Sequence, residues 1–527
     1  MRVRSVAVLV VVCALVAMLG TACSSDNSDD DATDAASTSS EAAPSTTQQP
    51  EEFARQPVVS TPTAEGQGIQ ALATWYEFET FGYVKEEFFV EGEAVGYEQV
   101  GEFESDGEWS VEEGETAPFK SRVVVIRPID PSDFSGTVFV EWFNVTGGVD
   151  AGPTFIAGHN QMFRSGAAWV GVTAQAVGVT GSDVTVQSGG GVDIPEGGLV
   201  GSDPERYGAL SHPGDLFAYD IFTQAGVAVR GDGTGVDPLG ALSVERLIAM
   251  GESQSAGRLT TYVNAVHPLA GVYDGFLIYS RGAGAAPLGE RVPDVDDPTI
   301  PDVARIRTDI DVPVFTFETE YDLHVSGYAD ARQPDSDNFR LWEIAGTSHQ
   351  DSYSAGGYAL TDLGDGAAEA AILDPAQANG GLLSCTQALN AGAMHAPLAA
   401  ALSHLETWVR DGIAPPEFPR VETTGEGEAI EIVRDELGIA RGGVRTPIVE
   451  VPLAANAGDA TNTPDFCRVF GHTEPFDAAT LAELYPNGSA DYVEAFEVSV
   501  DEAVEAGIWL EPEADNFKAA ARLISFG

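Results

Sequence analysis

The stretch Met250-Gly251-Glu252-Ser253-Gln254-Ser255-Ala256-Gly257-Arg258 decides the fold. Ser253 stands between two small residues, Gly251 two positions before it and Ser255 two positions after it. The apolar run Leu247 to Met250 leads in, and the pattern from Arg258 to Val266 predicts a helix leading out. Strand, tight turn and helix in that order are what a nucleophile elbow requires. Bulky side chains two positions from the serine would collide across such a turn. The helix that follows aims its first N–H groups at the serine, where negative charge develops if the hydroxyl attacks a carbonyl. A chain with 58 glycines produces this spacing by chance, and the plain alternative is a serine-rich turn that caps a helix. Gly-x-Ser-x-Ser also departs from the commoner Gly-x-Ser-x-Gly. The rest of the chain separates the two readings.

Working outward, apolar runs recur at intervals. Gln67 to Gly96 alternates apolar and aromatic residues and predicts antiparallel strands at one sheet edge. Ser121 to Arg127 and Thr137 to Trp142 predict two more strands, the second apolar enough for a central place. Ala168 to Thr173, Arg246 to Met250, Gly275 to Ser280, Val312 to Phe317 and Phe339 to Ala345 continue the series. Between them, Leu216 to Arg230 predicts a helix with Asp215 as N-cap or first-turn acid, and Ala396 to Gly412 predicts an amphipathic helix ended by Gly412 and Pro415-Pro416. Alternation of strand and helix from about 120 to 410 predicts an α/β fold with a mostly parallel sheet between helices. Ligands bind such sheets beyond the carboxyl ends of the strands.

Four features fall at that edge. Ser253 follows one strand. Glu318-Thr319-Glu320-Tyr321-Asp322 follows another and supplies two candidate acids, Asp322 and Glu320. His349, in Ala-Gly-Thr-Ser-His, follows the last strand, and Asn144-Val145-Thr146-Gly147-Gly148 follows the Thr137 to Trp142 strand. A serine hydroxyl needs a base within hydrogen-bond reach, and the base needs an acid to hold its tautomer. Serine, acid and histidine in that chain order are available here. Asp322 is preferred because the loop has cleared the strand by that point, and Glu320 stays open for its longer reach. The nearest rival base, His324, follows the acid loop too closely to come from a separate strand end; His212, among polar turn residues, is taken as structural. Oxyanion donors would be the N–H of Gln254 and that of Val145 or Thr146. Losing one such donor typically costs about 100- to 1000-fold in rate.

Gly-Glu-Ser-Gln-Ser-Ala-Gly-Arg-Leu, Val-Glu-Trp-Phe-Asn-Val-Thr-Gly-Gly and Phe-Arg-Leu-Trp-Glu-Ile-Ala-Gly-Thr-Ser-His together resemble a branch of the alpha/beta-hydrolase superfamily, the one described only as alpha/beta hydrolase domain-containing proteins. The resemblance covers about Val59 to Gly527. It implies the alpha/beta-hydrolase fold and a triad of Ser253, an acid and His349, without a defined substrate. On it rests the expectation of a serine hydrolase, carboxylesterase-like, acting on a small-molecule or lipid ester through an acyl-enzyme. Peptidase or acyltransferase chemistry would use the same residues, and a non-catalytic ligand-binding protein on the same fold is the alternative from another class.

The 527 residues are 43% hydrophobic, ample for a large core, and the formal net charge of −56 argues against nucleic acid as a partner. Arg2 and Arg4 precede an apolar run, Val6 to Leu19, too short for an easy membrane span. Gly20-Thr21-Ala22-Cys23 follows, so residues 1–22 resemble a bacterial lipoprotein signal with Cys23 carrying the lipid. Extracytoplasmic anchoring at the cell membrane is expected, with plain secretion as the alternative. Residues 23–55, rich in Ser, Thr, Asp and Pro, read as a disordered tether. Residues 56–412 form the expected main domain, and 413–527 an extension packed on it, with a strand over Thr446 to Val451 and helices over Ala478 to Tyr485 and Asp515 to Ile524. Cys385 and Cys467 remain after the signal and are expected to pair in an oxidising compartment, the alternative being two buried thiols. No Cys-x-x-Cys or His-x-x-x-His spacing supports a metal, no twelve-residue calcium loop appears, and no cofactor is expected. The glycine-studded Val177 to Leu210 is open between a lid and a surface excursion.

Overall fold

The computed structural model describes residues 55–527 except 73, 182–196, 291–298, 356, 375–384 and 464. The expected signal, Cys23 and all of the tether but its last residue lie outside the described residues, as does the middle of the 177–210 stretch.

Ten strands form one sheet: β1 (Val58–Ser60), β2 (Tyr83–Val100), β3 (Ser110–Pro128), β4 (Thr137–Trp142), β5 (Ala168–Val172), β6 (Thr234–Gly235), β7 (Arg246–Glu252), β8 (Gly275–Tyr279), β9 (Val314–Thr319) and β10 (Phe339–Ile344). Their order is β10-β9-β8-β7-β4-β5-β3-β2-β1-β6. The six strands from β10 to β5 run parallel, and β3 and β2 add an antiparallel hairpin. The parallel half is buried on both faces, as crossover helices demand. Alternation along each strand sorts its residues between two cores. Val138, Val140 and Trp142 of β4 and Leu247 and Ala249 of β7 join one; Phe139, Ile248 and Met250 join the other. The first core is covered by α2 (Ala218–Val229) and α3 (Gln254–Thr261). The second takes α1 (Pro153–Arg164), α5 (His395–Asp411), α6 (Ser489–Glu505) and α7 (Glu511–Ala521). Thus the C-terminal helices complete one helical layer of the main sheet. Between β9 and β10 lies the short α4 (Glu320–His324).

Several local expectations are corrected. Thr446 to Val451 is not a strand: Pro447–Glu450 is a single helical turn, with Pro447 at its start where a missing N–H costs nothing. From Gln67 onward, strand geometry begins only at Tyr83, after a single turn Phe78–Phe81 that Gly82 ends in the left-handed region. The helix after the serine starts at Gln254, not Arg258. Of the two alternatives for Asp215 the first-turn acid is the one found: it opens the turn Asp215–Phe217 that leads into α2, and its side chain does not cap that helix. Its carboxylate accepts instead from Ala176 N–H (2.9 Å), Gln175 Nε2 (3.0 Å) and Arg258 Nη2 (2.8 Å), tying the loop after β5 to the helix behind the serine.

The loop after β4 is anchored from below by Arg122 of β3, whose guanidinium is fully buried. It donates to Glu87 Oε1 (2.8 Å), Asp150 Oδ2 (2.8 Å) and Thr173 Oγ1 (3.1 Å). Removing one partner of a buried ion pair strands the other charge. Arg122→Leu is therefore expected to lower stability by about 3–5 kcal/mol, read as a fall in the urea midpoint. Among the described residues no helix is long and apolar enough to cross a membrane.

Candidate active site

The elbow is built as its residue sizes require. Ser253 has φ +61° and ψ −115°, outside the helical region of the residues that follow it. A non-glycine residue at positive φ is held there by its surroundings. Its N–H donates to Tyr279 O of β8 (2.9 Å). A Cβ added at Gly251 would stand 3.1 Å from the Ser255 backbone and 3.2 Å from Leu259 Cδ1, so a larger residue would push on the turn. Ser255 has a use that the commoner glycine lacks. Its hydroxyl donates to Glu252 O (2.8 Å) and accepts from Glu252 N–H (3.1 Å), stapling the strand end to the helix.

His349 stands three strands away, past the end of β10. Its Nδ1 lies 2.6 Å from Asp322 Oδ1. The other oxygen of Asp322 accepts from Thr319 N–H (2.9 Å) and Thr319 Oγ1 (2.7 Å), capping α4. One carboxylate thus fixes its own helix and orients the histidine. Glu320 does neither. It accepts from Gly346 N–H (2.5 Å), Arg434 Nη2 (2.8 Å) and Gly458 N–H (3.2 Å). Of the two candidate acids the fold brings Asp322 to His349 and turns Glu320 toward the C-terminal region. The approach of Gly458 is close: a Cβ there would fall 2.4 Å from Thr347 O and 2.6 Å from Tyr321 N. His324 stays apart from the pair, and His212 Nε2 lies 2.9 Å from Ala174 O.

Ser253 Oγ and His349 Nε2 are both buried, and among the described residues neither makes a hydrogen bond. Beside them, Gln254 N–H opens α3 and has no intrahelical carbonyl to bond. Asn144 shapes the turn after β4. Its backbone pairs with Ala151 in both directions (2.9 and 3.0 Å), and its Oδ1 accepts from Thr146 N–H (2.9 Å). That bond occupies the Thr146 N–H, so of the two candidate donors in this turn Val145 is the one left available.

The segment carrying His349 is held largely by the C-terminal region. Ser348 Oγ and Gln350 N–H both donate to Val469 O (2.8 and 3.0 Å), and Ser352 N–H donates to Asn390 O (2.8 Å). Cys385 and Cys467 form a disulfide that ties 385–390 to 467–470, in a small core with Tyr321, whose ring lies 5.5 Å from that of His349.

The sequence reading passed over Glu252, the residue just before the serine. It is fully buried, with Oε1 3.2 Å from His349 Nε2. Gln350 Nε2 donates to Oε1 (2.9 Å) and Asn144 Nδ2 to Oε2 (3.2 Å). Burial raises its pKa to about 7 against the opposing pull of His349, Gln350 and Asn144. Burial works to lower the His349 pKa, but Asp322 and Glu252 outweigh it and leave it raised. An acid inside the elbow motif, at the C-terminal end of a strand buried from Leu247 onward, was the signal available. Among the described residues no three His, Cys, Asp or Glu side chains are grouped to hold a metal ion.

The profile of one protein family, described as an alpha/beta hydrolase domain, matches residues 55–519. It therefore spans both the sheet and the C-terminal helices. No curated protein matches the chain. Similar solved structures include a putative dienelactone hydrolase from Klebsiella pneumoniae, 14% identical over 48% of this chain and 85% of that one, TM-score 0.24. A serine hydrolase without a lid from Xanthomonas campestris is 11% identical over 48% and 86%, TM-score 0.26. A carboxylesterase from Lactobacillus plantarum is 12% identical over 45% and 78%, TM-score 0.24.

Proposed function

The chain belongs to the alpha/beta hydrolase domain family, and on that premise we propose that it is a serine hydrolase, carboxylesterase-like in its chemistry. The observation that supports this most is the meeting of His349 with Asp322 and with the residue before the elbow serine, Glu252 Oε1 lying 3.2 Å from Nε2. Ser253 sits at a strained turn after β7, Asp322 after β9, and His349 after β10 with Nδ1 on Asp322 (2.6 Å). In this reading Ser253 Oγ attacks the carbonyl carbon of an ester while His349 Nε2 takes the hydroxyl proton. Asp322 holds the Nδ1 proton and stabilises the imidazolium. The N–H groups of Gln254 and Val145 receive the oxyanion, whose developing charge is also met by the first turn of α3. The alcohol leaves with the proton from His349, and water, deprotonated by the same nitrogen, clears the acyl group.

The substrate is a small-molecule or lipid ester. The protein acts outside the cytoplasm, anchored through lipid on Cys23, and the Cys385–Cys467 disulfide favours an oxidising compartment. A fluorophosphonate probe tests the serine directly. Mass spectrometry of the treated protein is expected to find the adduct on Ser253, and the hydrolysis rate of p-nitrophenyl esters is expected to fall in step with labelling. A folded protein that takes no label and hydrolyses none of a series of acyl lengths would instead be a binding protein on this fold.

A further inference from the structure

Glu252 belongs to no part of the triad, yet it reaches the nitrogen on which the triad turns. His349 Nδ1 is committed to Asp322, so Nε2 must accept the Ser253 proton. Glu252 Oε1 lies 3.2 Å from that same Nε2. No hydrogen bond joins the two atoms in the resting structure, but a carboxylate oxygen and an imidazole lone pair repel at this distance, and a proton on the pair relieves that repulsion. Nor is the carboxylate free to swing away. Gln350, next to His349, and Asn144, in the proposed oxyanion turn, each hold one of its oxygens, and Asn144 Nδ2 also donates to Glu252 O (3.1 Å).

We propose that Glu252 is a positioning residue that shares a proton with His349 Nε2, holding the resting base charged and stabilising the imidazolium formed when Ser253 is deprotonated. This rests on the serine hydrolase reading and deepens it. The proton transfers balance. Glu252 and His349 hold one proton between them at rest, and its release to solvent frees Nε2 as the base. Attack by Ser253 then places the hydroxyl proton on Nε2, beside the Glu252 carboxylate. Leaving-group departure removes that proton again.

The other titratable groups around the pair are mostly acidic. Asp322 faces it from α4 and Tyr279 from β8; Glu318 of β9 and Asp351 after β10 act on Tyr279 in turn, and the Tyr321 ring lies tilted 5.5 Å from the imidazole. Arg468 adds a positive charge near Tyr321. This field favours a proton on the pair. The Glu252 pKa near 7 puts its loss in the neutral range. The two groups titrate as a unit, so the activity limb belongs to the pair.

The sign follows. Below the limb the pair keeps its proton, His349 cannot act as a base and activity is low; activity rises as pH increases through it. Glu252→Gln removes the negative charge beside Nε2, so His349 releases its proton at lower pH. The acid limb of kcat/KM for a p-nitrophenyl ester is expected to move down by about 1 unit or more, the shift an adjacent opposite charge produces. The plateau kcat is expected to fall while KM stays near the wild-type value. An active variant with its acid limb unmoved would overturn the proposal.

A second measurement needs no turnover. In folded full-length Ser253→Ala, the ¹⁵N signals of His349 and the ¹³C carboxyl signal of Glu252 are expected to titrate together. Independent titration of the two groups would overturn the proposal even if Glu252→Gln fails to fold. Failure of the hydrolase reading is recorded separately, as absence of fluorophosphonate labelling at Ser253, and leaves the titration interpretable.

Discussion

Ser253→Ala is expected to cut kcat/KM on p-nitrophenyl esters by about ten-thousandfold to a millionfold, the range seen when a triad nucleophile is removed. The substitution deletes one oxygen. In the resting structure that oxygen is buried and makes no hydrogen bond among the described residues, so its loss removes no stabilising contact. The backbone bond from residue 253 to Tyr279 O does not depend on the side chain. Unfolding midpoints of variant and wild type should therefore agree to within about 0.5 kcal/mol, as for substitutions that disturb no packing or network. A residual rate above the uncatalysed reaction is expected, because Gln254 and Val145 still receive the oxyanion. Comparable rates in the two proteins would remove Ser253 from the mechanism.

Asp322→Asn is expected to cost about ten-thousandfold in kcat with little change in fold, because the amide reverses a proton assignment. Oδ2 accepts from the N–H and hydroxyl of Thr319, and Oδ1 faces His349 Nδ1. Asparagine has a single acceptor oxygen. The Thr319 N–H demands it, which turns the NH₂ toward Nδ1. His349 must then accept at Nδ1 and carry its proton on Nε2, where it cannot serve as a base. The kcat of the variant, measured beside Glu320→Gln, tests this. Glu320 binds Gly346, Arg434 and Gly458 rather than the histidine. Its amide variant is expected to lose stability through the Arg434 pair and to keep kcat within about tenfold of wild type, since no group in contact with substrate is altered. Equal losses in the two variants would contradict the division of labour between these acids.

Much of this site is written along the chain. The small-x-Ser-x-small spacing predicts the elbow, and Gly251, packed against Ser255 and Leu259, shows why the spacing matters. The apolar runs predict the strands, and all six parallel strands appear where such runs lie. Local pattern failed where a short segment had no period of its own. Thr446 to Val451 is apolar enough for a strand, but Pro447 and the packing of Ile448 and Val449 make it a helical turn. Asp215 stands in the first turn as its type and position predict, but what its carboxylate binds, Arg258 43 residues later, no local pattern shows.

The sequence by itself determined the α/β class and singled out the elbow, Ser253 and His349 as candidates, because each depends on residue type within a few positions of itself. Only the tertiary structure decided which carboxylate meets the histidine. β9 and β10 are hydrogen-bonded neighbours with Thr319 opposite Ile344, so the turn that follows β10 returns over α4. Asp322 and Glu320 are two residues apart on that helix and point different ways, one to the imidazole and one to Arg434 and Gly458. The tertiary structure also brought Glu252 to the far nitrogen of His349 and Val469 to the segment that carries it. Contacts between residues about 100 apart depend on the order and twist of the strands, and no local period encodes them.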